Sequence, residues 1–287
     1  MERFAHTRGI VLLVLVTLFW GTTFALIKDI TQSVSPYLLT ALRFAIGGLI
    51  FLPFLRWDRQ LWKAGLILGI LNFLSYITQA VGLTLISSNR SAFITGLNVV
   101  MVPIALALLM RRWPIAKVWW AAGLSILGIG LISFDSLMGF SAGDLWTLAC
   151  ASMYAGYILY LEKSSHHNAL ALTAIQMVVV ALLSGLASGF ELTQTGWPEI
   201  PASAWGGIFY LAVMATALTT FLMAYGQKTV SAAEAAIVYS LEPVFAALFA
   251  YLWAGETLGF LGVIGGCVII GAMVLSQWPQ RLPKPEP

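Results

Sequence analysis

Glu242 stands before Pro243 inside an otherwise apolar stretch, the most chemically loaded point of this chain. A carboxyl group about eleven residues into a membrane-length run lies near the bilayer midplane, where a charge costs several kcal/mol. It must be neutral, paired or wet. The proline lacks the N–H that would meet the Tyr239 carbonyl, so a kink or a bare acceptor sits beside the acid. Three roles follow for Glu242: binding and releasing a proton during turnover, bonding neighbouring helices, or meeting the amine of a bound solute. Arg43, about seven residues into another apolar run, has parallel options. It reaches to the membrane surface, pairs with an acid inside the protein, or receives a solute carboxylate. Lys28 and Asp29 end the first apolar run; Lys28 reads as an interfacial anchor or as part of a gate.

Uncharged polar residues in the apolar runs recur at helical spacing. Asn72, Tyr76 and Gln79 fall at i, i+4 and i+7, as do Ser91, Thr95 and Asn98. Thr147, Tyr154 and Tyr157 continue the theme in a later run, and Thr216, Thr219, Thr220 and Met223 in another. Polar side chains in hydrocarbon face protein or water, so such stripes line a cavity or bond helix to helix, the latter worth about 0.6 kcal/mol per contact. With Trp20 as an aromatic wall and Tyr239 one turn before Glu242, the candidate binding set is Trp20, Asn72, Tyr76, Gln79, Thr95, Asn98, Tyr154, Tyr157 and Tyr239. Glu242, Arg43 and Lys28 are the candidates for coupling or gating.

The elements that must position these residues are membrane helices. With 60% hydrophobic and 9% charged residues among 287, and mean hydropathy +0.89, there is too little polar surface to coat a soluble domain. Ten apolar runs occur at 10–28, 36–56, 63–84, 91–110, 116–134, 143–162, 169–190, 204–226, 232–253 and 258–277, each near the ~20 residues a helix needs to cross a bilayer. They lack the alternation of barrel strands, so the expected fold is all-α integral membrane. Basic residues gather on alternate loops, leaving only Lys28 and Arg90 on the other side, so both termini are expected in the cytoplasm. The first run lacks a small-x-small cleavage site and is expected to be retained. Net charge +3, spread over short loops, gives no nucleic-acid footprint. Cys150 and Cys267 lie inside runs, and His6, His166 and His167 read as loop residues, so no metal, disulfide framework, cofactor or catalytic residue is expected.

The chain also repeats itself. Gly123, Gly128 and Ser133 correspond to Gly266, Gly271 and Ser276 at a spacing of 143 residues (266 − 123), and Ala80, Gly82 and Ser87 to Ala224, Gly226 and Ser231 at 144 (224 − 80). An odd number of runs per copy makes the second copy enter from the opposite side, giving two inverted five-helix repeats at 1–137 and 138–278, with a disordered tail at 279–287. That is transporter architecture.

Phe19-Trp20-Gly21, Ala41-Leu42-Arg43-Phe44, Leu241-Glu242-Pro243-Val244 and Gly255-Glu256-Thr257-Leu258 together resemble EamA-type members of the drug/metabolite transporter superfamily, over essentially the whole chain. The first half departs from the second: Arg111-Arg112-Trp113-Pro114 stands where the second has Gly255-Glu256, and Pro103 does not superpose on Pro243. The resemblance implies a central cavity lined by the first, third, fourth, sixth, eighth and ninth runs, with the fifth and tenth outside as scaffold or homodimer contacts. It implies export of amino acids or related amphipathic metabolites across a bacterial inner membrane; alternating access is the expectation from the inverted repeats, and proton coupling is the first of the roles open to Glu242. The expected partners are therefore a small-molecule substrate and membrane lipids. An enzyme acting on lipid substrates and a passive channel are the competing classes.

Overall fold

A computed structural model describes residues 2–111, 116–135, 140–255 and 257–277, all of them helix or connecting turn. Arg112, Trp113, Pro114, Glu256 and Trp278, the junction at 137–138 and the tail at 279–287 lie outside the described residues. In chain order the helices are α1 (Glu2–Gly21), α2 (Thr23–Ile30), α3 (Pro36–Phe51), α4 (Arg59–Leu83), α5 (Ser88–Thr95), α6 (Asn98–Leu109), α7 (Ala116–Asp135), α8 (Ala142–Lys163), α9 (Ala169–Thr195), α10 (Ala202–Ala212), α11 (Thr219–Gly226), α12 (Ala232–Tyr239), α13 (Glu242–Ala254) and α14 (Phe260–Gln277). Several are halves of one rod. α1 and α2 meet at Thr22, α5 and α6 at Gly96-Leu97, α12 and α13 at Ser240-Leu241, and a π-helical turn at Val213–Leu218 joins α10 to α11.

Helix starts follow from capping chemistry. Ser35, Asp58, Ser87, Asn168 and Ser231 each accept a backbone N–H of the following first turn, and Pro36 supplies the fixed φ that suits the first position of α3. Gly255, at φ +63°, ends α13 in the left-handed conformation that costs glycine least.

Seven rods among the described residues are long and apolar enough to cross a membrane: Arg3–Ile30, Pro36–Phe54, Arg59–Leu83, Ser88–Leu109, Ala169–Thr195, Ala202–Gly226 and Ala232–Trp253. The other three expected runs are helical too. α7 and α14 hold shorter apolar stretches, Trp119–Gly128 and Phe260–Ala272, while α8 falls outside the seven. Many outward side chains are large and apolar, among them Trp120, Ile126, Leu186 and Phe260, as a lipid-facing surface requires. α7 and α14 pack chiefly on each other, away from the polar interior.

Two glycine crossings tie the rods at opposite ends. Beside the start of α1, Gly9 meets Gly226 of α11; beside the α4–α5 turn, Gly82 meets Gly143 of α8. A Cβ on Gly82 would collide with Thr147 Oγ1 and sit 3.2 Å from the Gly143 carbonyl. Gly82→Val is therefore expected to cost about 1–3 kcal/mol by overpacking. Gly123, with nothing within 4 Å of its added Cβ, is the control: Gly123→Ala is expected to be neutral or stabilising by up to ~1 kcal/mol. Thermal unfolding of the two variants in detergent checks the contrast.

Candidate functional site

Three of the broken rods converge on one interior cavity. Trp20 and Thr23 flank the α1–α2 break, Thr95 ends α5, and Glu242 begins α13. Arg43 from α3, Ser75, Tyr76 and Gln79 from α4, and Cys150 and Tyr154 from α8 complete the wall. A break frees backbone polar groups and is tolerated at membrane depth only where protein or water satisfies them, so breaks beside a polar cavity are what the bilayer allows. The cavity volume is about 30 Å³, room for a water molecule and far below the ~300 Å³ of small binding sites. A solute larger than a water molecule does not fit it in this conformation.

Arg43 is 2% exposed, so it does not reach the membrane surface. Its Nε donates to Thr216 Oγ1 at 3.1 Å, and its guanidinium carbon lies 4.9 Å from the centroid of the Tyr76 ring, which itself meets Phe44 edge-on at 4.9 Å. Thr216 sits in the π-helical turn. Among the described residues no carboxylate lies within ion-pair distance of Arg43. Glu242 is 3% exposed, and its Oε2 is buried without a hydrogen-bond partner. One cavity thus holds a cation and an acid that do not neutralise each other.

Aromatic rings cluster along one wall of the cavity, around Trp20 and Tyr154. Trp20 lies 5.5 Å from Tyr154 edge-on and 5.8 Å from Tyr239, and Tyr154 stacks on Tyr157 at 5.7 Å. Trp20 Nε1 donates to the Ala215 carbonyl and to Thr219 Oγ1, both at 3.2 Å, while Tyr154 donates to Met223 Sδ at 3.4 Å. The residues expected on the eighth run therefore brace Arg43 and Trp20 from behind, and Arg43 brings the second run into the lining.

Of the residues expected from sequence, Trp20, Tyr76, Gln79, Thr95, Tyr154, Arg43 and Glu242 are brought together. Asn72 is buried one turn away from the lining, Tyr157 donates to Gln176 Oε1 at 2.9 Å, and Tyr239 lies behind Trp20 and Tyr154. Asn98 is fully buried, with Nδ2 on the Thr95 carbonyl at 2.9 Å and Oδ1 without a partner. Lys28 is half-buried near the end of α2, outside the lining. Thr23, Ser75 and Cys150 were not foreseen there. Cys150 shares a 3.4 Å contact with Ser75 on the adjoining face of α4, one position round from the Asn72–Tyr76 stripe.

Both ends of the molecule carry polar ties. Beside the start of α1, His6 Nε2 meets Glu234 Oε1 at 3.1 Å on the surface, and Thr229 Oγ1 donates to the Ala5 carbonyl at 3.2 Å. At the other end Arg90 Nε donates to Asp144 Oδ1 at 2.6 Å, the pair being 3% and 1% exposed, and Ser35 donates to Glu191. Arg90 had read as a loop cation; the structure buries it.

Comparison with known proteins fits a solute path through the membrane. The chain is 31% identical over 269 residues to an uncharacterized transporter of Archaeoglobus fulgidus, spanning 92% of this chain and 83% of that protein. It is 27% identical to a probable biotin transporter of Pseudomonas aeruginosa (96% and 98% covered). It is 26% identical to the threonine/homoserine exporter RhtA of Salmonella typhimurium (83% and 80% covered). The profile of the EamA-like transporter family matches twice, at residues 7–134 and again at 141–277. With nearly its whole length accounted for by two copies of that domain, this multi-pass membrane chain belongs to the EamA-like transporter family.

Proposed function

We propose that the chain is a secondary transporter exporting small carboxylate-bearing metabolites, amino acids foremost. It works by alternating access, with ten crossing rods arranged as two inverted five-helix repeats at 1–137 and 138–278. The observation that carries this reading is the shared cavity of Arg43 and Glu242. A buried guanidinium without an acidic partner suits a carboxylate, and an unpaired carboxyl nearby suits an ammonium group or a transported proton. Biotin, threonine and homoserine, named for two relatives, all carry a carboxylate.

The repeat is supported by matched local structure. Ser87 and Ser231 cap α5 and α12, both eight residues long, and the next pieces begin at Asn98 and Glu242, again 144 apart (242 − 98). The Gly82–Gly143 and Gly9–Gly226 crossings join the corresponding rods at opposite ends. Two copies of one fold, facing opposite ways around a polar centre, exchange access by rocking.

The test is counterflow of radiolabelled threonine, homoserine and biotin in proteoliposomes. Native protein is expected to exchange at least one of them, Arg43→Lys to be about tenfold slower and Arg43→Met about 100-fold slower, the loss expected when a charge-assisted contact is truncated. A folded Arg43→Met protein exchanging at the native rate would remove the carboxylate site.

A further inference from the structure

The two halves do not contribute equally to the cavity seen here. From α4 come Ser75, Tyr76 and Gln79. Their counterparts at 144 residues (219 − 75) are Thr219, Thr220 and Met223 of α11, all buried and none lining the cavity. Two of the three are instead occupied. Thr219 accepts from Trp20, and Met223 accepts from Tyr154. Trp20 and Tyr154 are themselves counterparts, at the 134-residue offset (143 − 9) that relates Gly9 to Gly143 in the two glycine crossings. Each ring therefore leans on α11, although symmetry offers each an equivalent place on α4.

The chemistry of those vacated places is suitable. Exchanging the roles of the halves turns Trp20-to-Thr219 into Tyr154-to-Ser75, and Tyr154-to-Met223 into Trp20-to-Gln79. Ser75 and Gln79 both carry an accepting oxygen and already share the cavity wall with the two rings. A second observation is independent of the rings. Asn98 and Tyr239, the counterparts of Glu242 and Thr95, each hold a buried oxygen with no hydrogen-bond partner, Oδ1 and the phenol respectively, just as Glu242 Oε2 and Thr95 Oγ1 do, so both linings carry polar groups that wait for water or solute. Burying such groups unsatisfied is unfavourable, and a conformation of the same protein that wets them relieves it.

We propose that the binding site has a second lining, formed by Thr219, Thr220, Met223, Asn98 and Tyr239, which Trp20 and Tyr154 cover in this conformation and uncover by moving their hydrogen bonds to Gln79 and Ser75. This rests on the alternating-access reading above. The lining visible now, with Glu242, and the covered one, with Asn98, then face opposite sides of the membrane in turn. Solute meets an acid on one side and an amide on the other.

The experiment uses full-length protein in proteoliposomes, with Cys150→Ser and Cys267→Ser as background and Thr220→Cys as the reporter, no solute being added. A membrane-impermeant methanethiosulfonate is applied to the face that holds the start of α1. Gln79→Leu removes an acceptor used only after the exchange and is expected to slow reporter modification about three- to tenfold, the value of one hydrogen bond. Thr219→Val removes an acceptor used only in the present conformation and is expected to accelerate it by a similar factor. Opposite responses support the proposal, and a general folding defect cannot produce them. Modification that proceeds from that face but is unchanged, or shifted in one direction by both variants, overturns the second lining while leaving alternating access standing. If Thr220→Cys in the Cys150→Ser, Cys267→Ser background is reached by reagent from neither face, and native protein shows no counterflow, the reading beneath the proposal fails together with it.

Discussion

Asp144→Ala is expected to destabilise the protein by about 3–5 kcal/mol, because it leaves the Arg90 guanidinium buried without its counter-charge. The pair is bidentate, at 2.6 and 2.5 Å, and almost wholly enclosed. Asp144 has a second task, accepting the Ser141 backbone N–H at 2.6 Å at the start of α8. Replacing both partners by apolar residues of similar bulk, Arg90→Met with Asp144→Leu, removes the unpaired charge and is expected to recover all but the ~1 kcal/mol owed to the lost cap. The tie at the other end should behave differently. His6 and Glu234 are 39% and 47% exposed, so solvent screening limits His6→Ala to below about 1 kcal/mol. Thermal unfolding of the four proteins in detergent orders them. Equal stability for Asp144→Ala and native protein would show that the Arg90–Asp144 pair contributes nothing.

Glu242→Gln is expected to keep solute exchange and lose accumulation driven by a pH gradient. The amide has the shape of the acid, and Oε2 has no hydrogen-bond partner to lose, so folding is spared. What disappears is the capacity to carry a proton. A one-unit pH gradient supplies about 1.4 kcal/mol per proton, enough to sustain a roughly tenfold solute gradient in the native protein with one proton per solute. In Glu242→Gln that ratio is expected to fall to about one, while counterflow stays within about threefold of native. A folded Glu242→Gln protein that still accumulates solute tenfold would assign Glu242 to structure. Asn98→Asp makes the complementary case, placing an acid at the matching position of the other half.

The sequence announces those residues whose cost in hydrocarbon demands an explanation. Glu242 and Arg43 were legible because a buried charge is expensive wherever it lies, and Tyr76, Gln79, Thr95 and Tyr154 because polar residues at helical spacing share a face. Periodicity defines a stripe only to within about one residue, however, and the lining of α4 runs through Ser75 rather than Asn72. The Arg90–Asp144 pair was invisible for another reason. Its partners are 54 positions apart, and a cation beside a turn reads as solvated until the fold brings its partner to it. Pro243 advertised the break before α13, whereas the matching break at Gly96-Leu97 lies away from the proline of its own rod, Pro103. Only its likeness to the second half gives it meaning. The run at 143–162 shows the converse effect: Thr147, Tyr154 and Tyr157, which give α8 its polar inward face, also dilute its apolar character.

The measurement that bears most directly on the whole account is the occupancy of the cavity during transport. Cys150 lines it beside Ser75, so in Cys267→Ser protein the rate at which a small methanethiosulfonate modifies Cys150 reports whether the space is filled. With a solute shown by counterflow to be carried, present at saturation, modification is expected to slow by about tenfold or more, as occupancy above nine-tenths requires. The same concentration should have no effect in Arg43→Met. Unchanged modification of Cys150 while that solute is being carried at full rate would place the transport path elsewhere and contradict the assignment of this cavity.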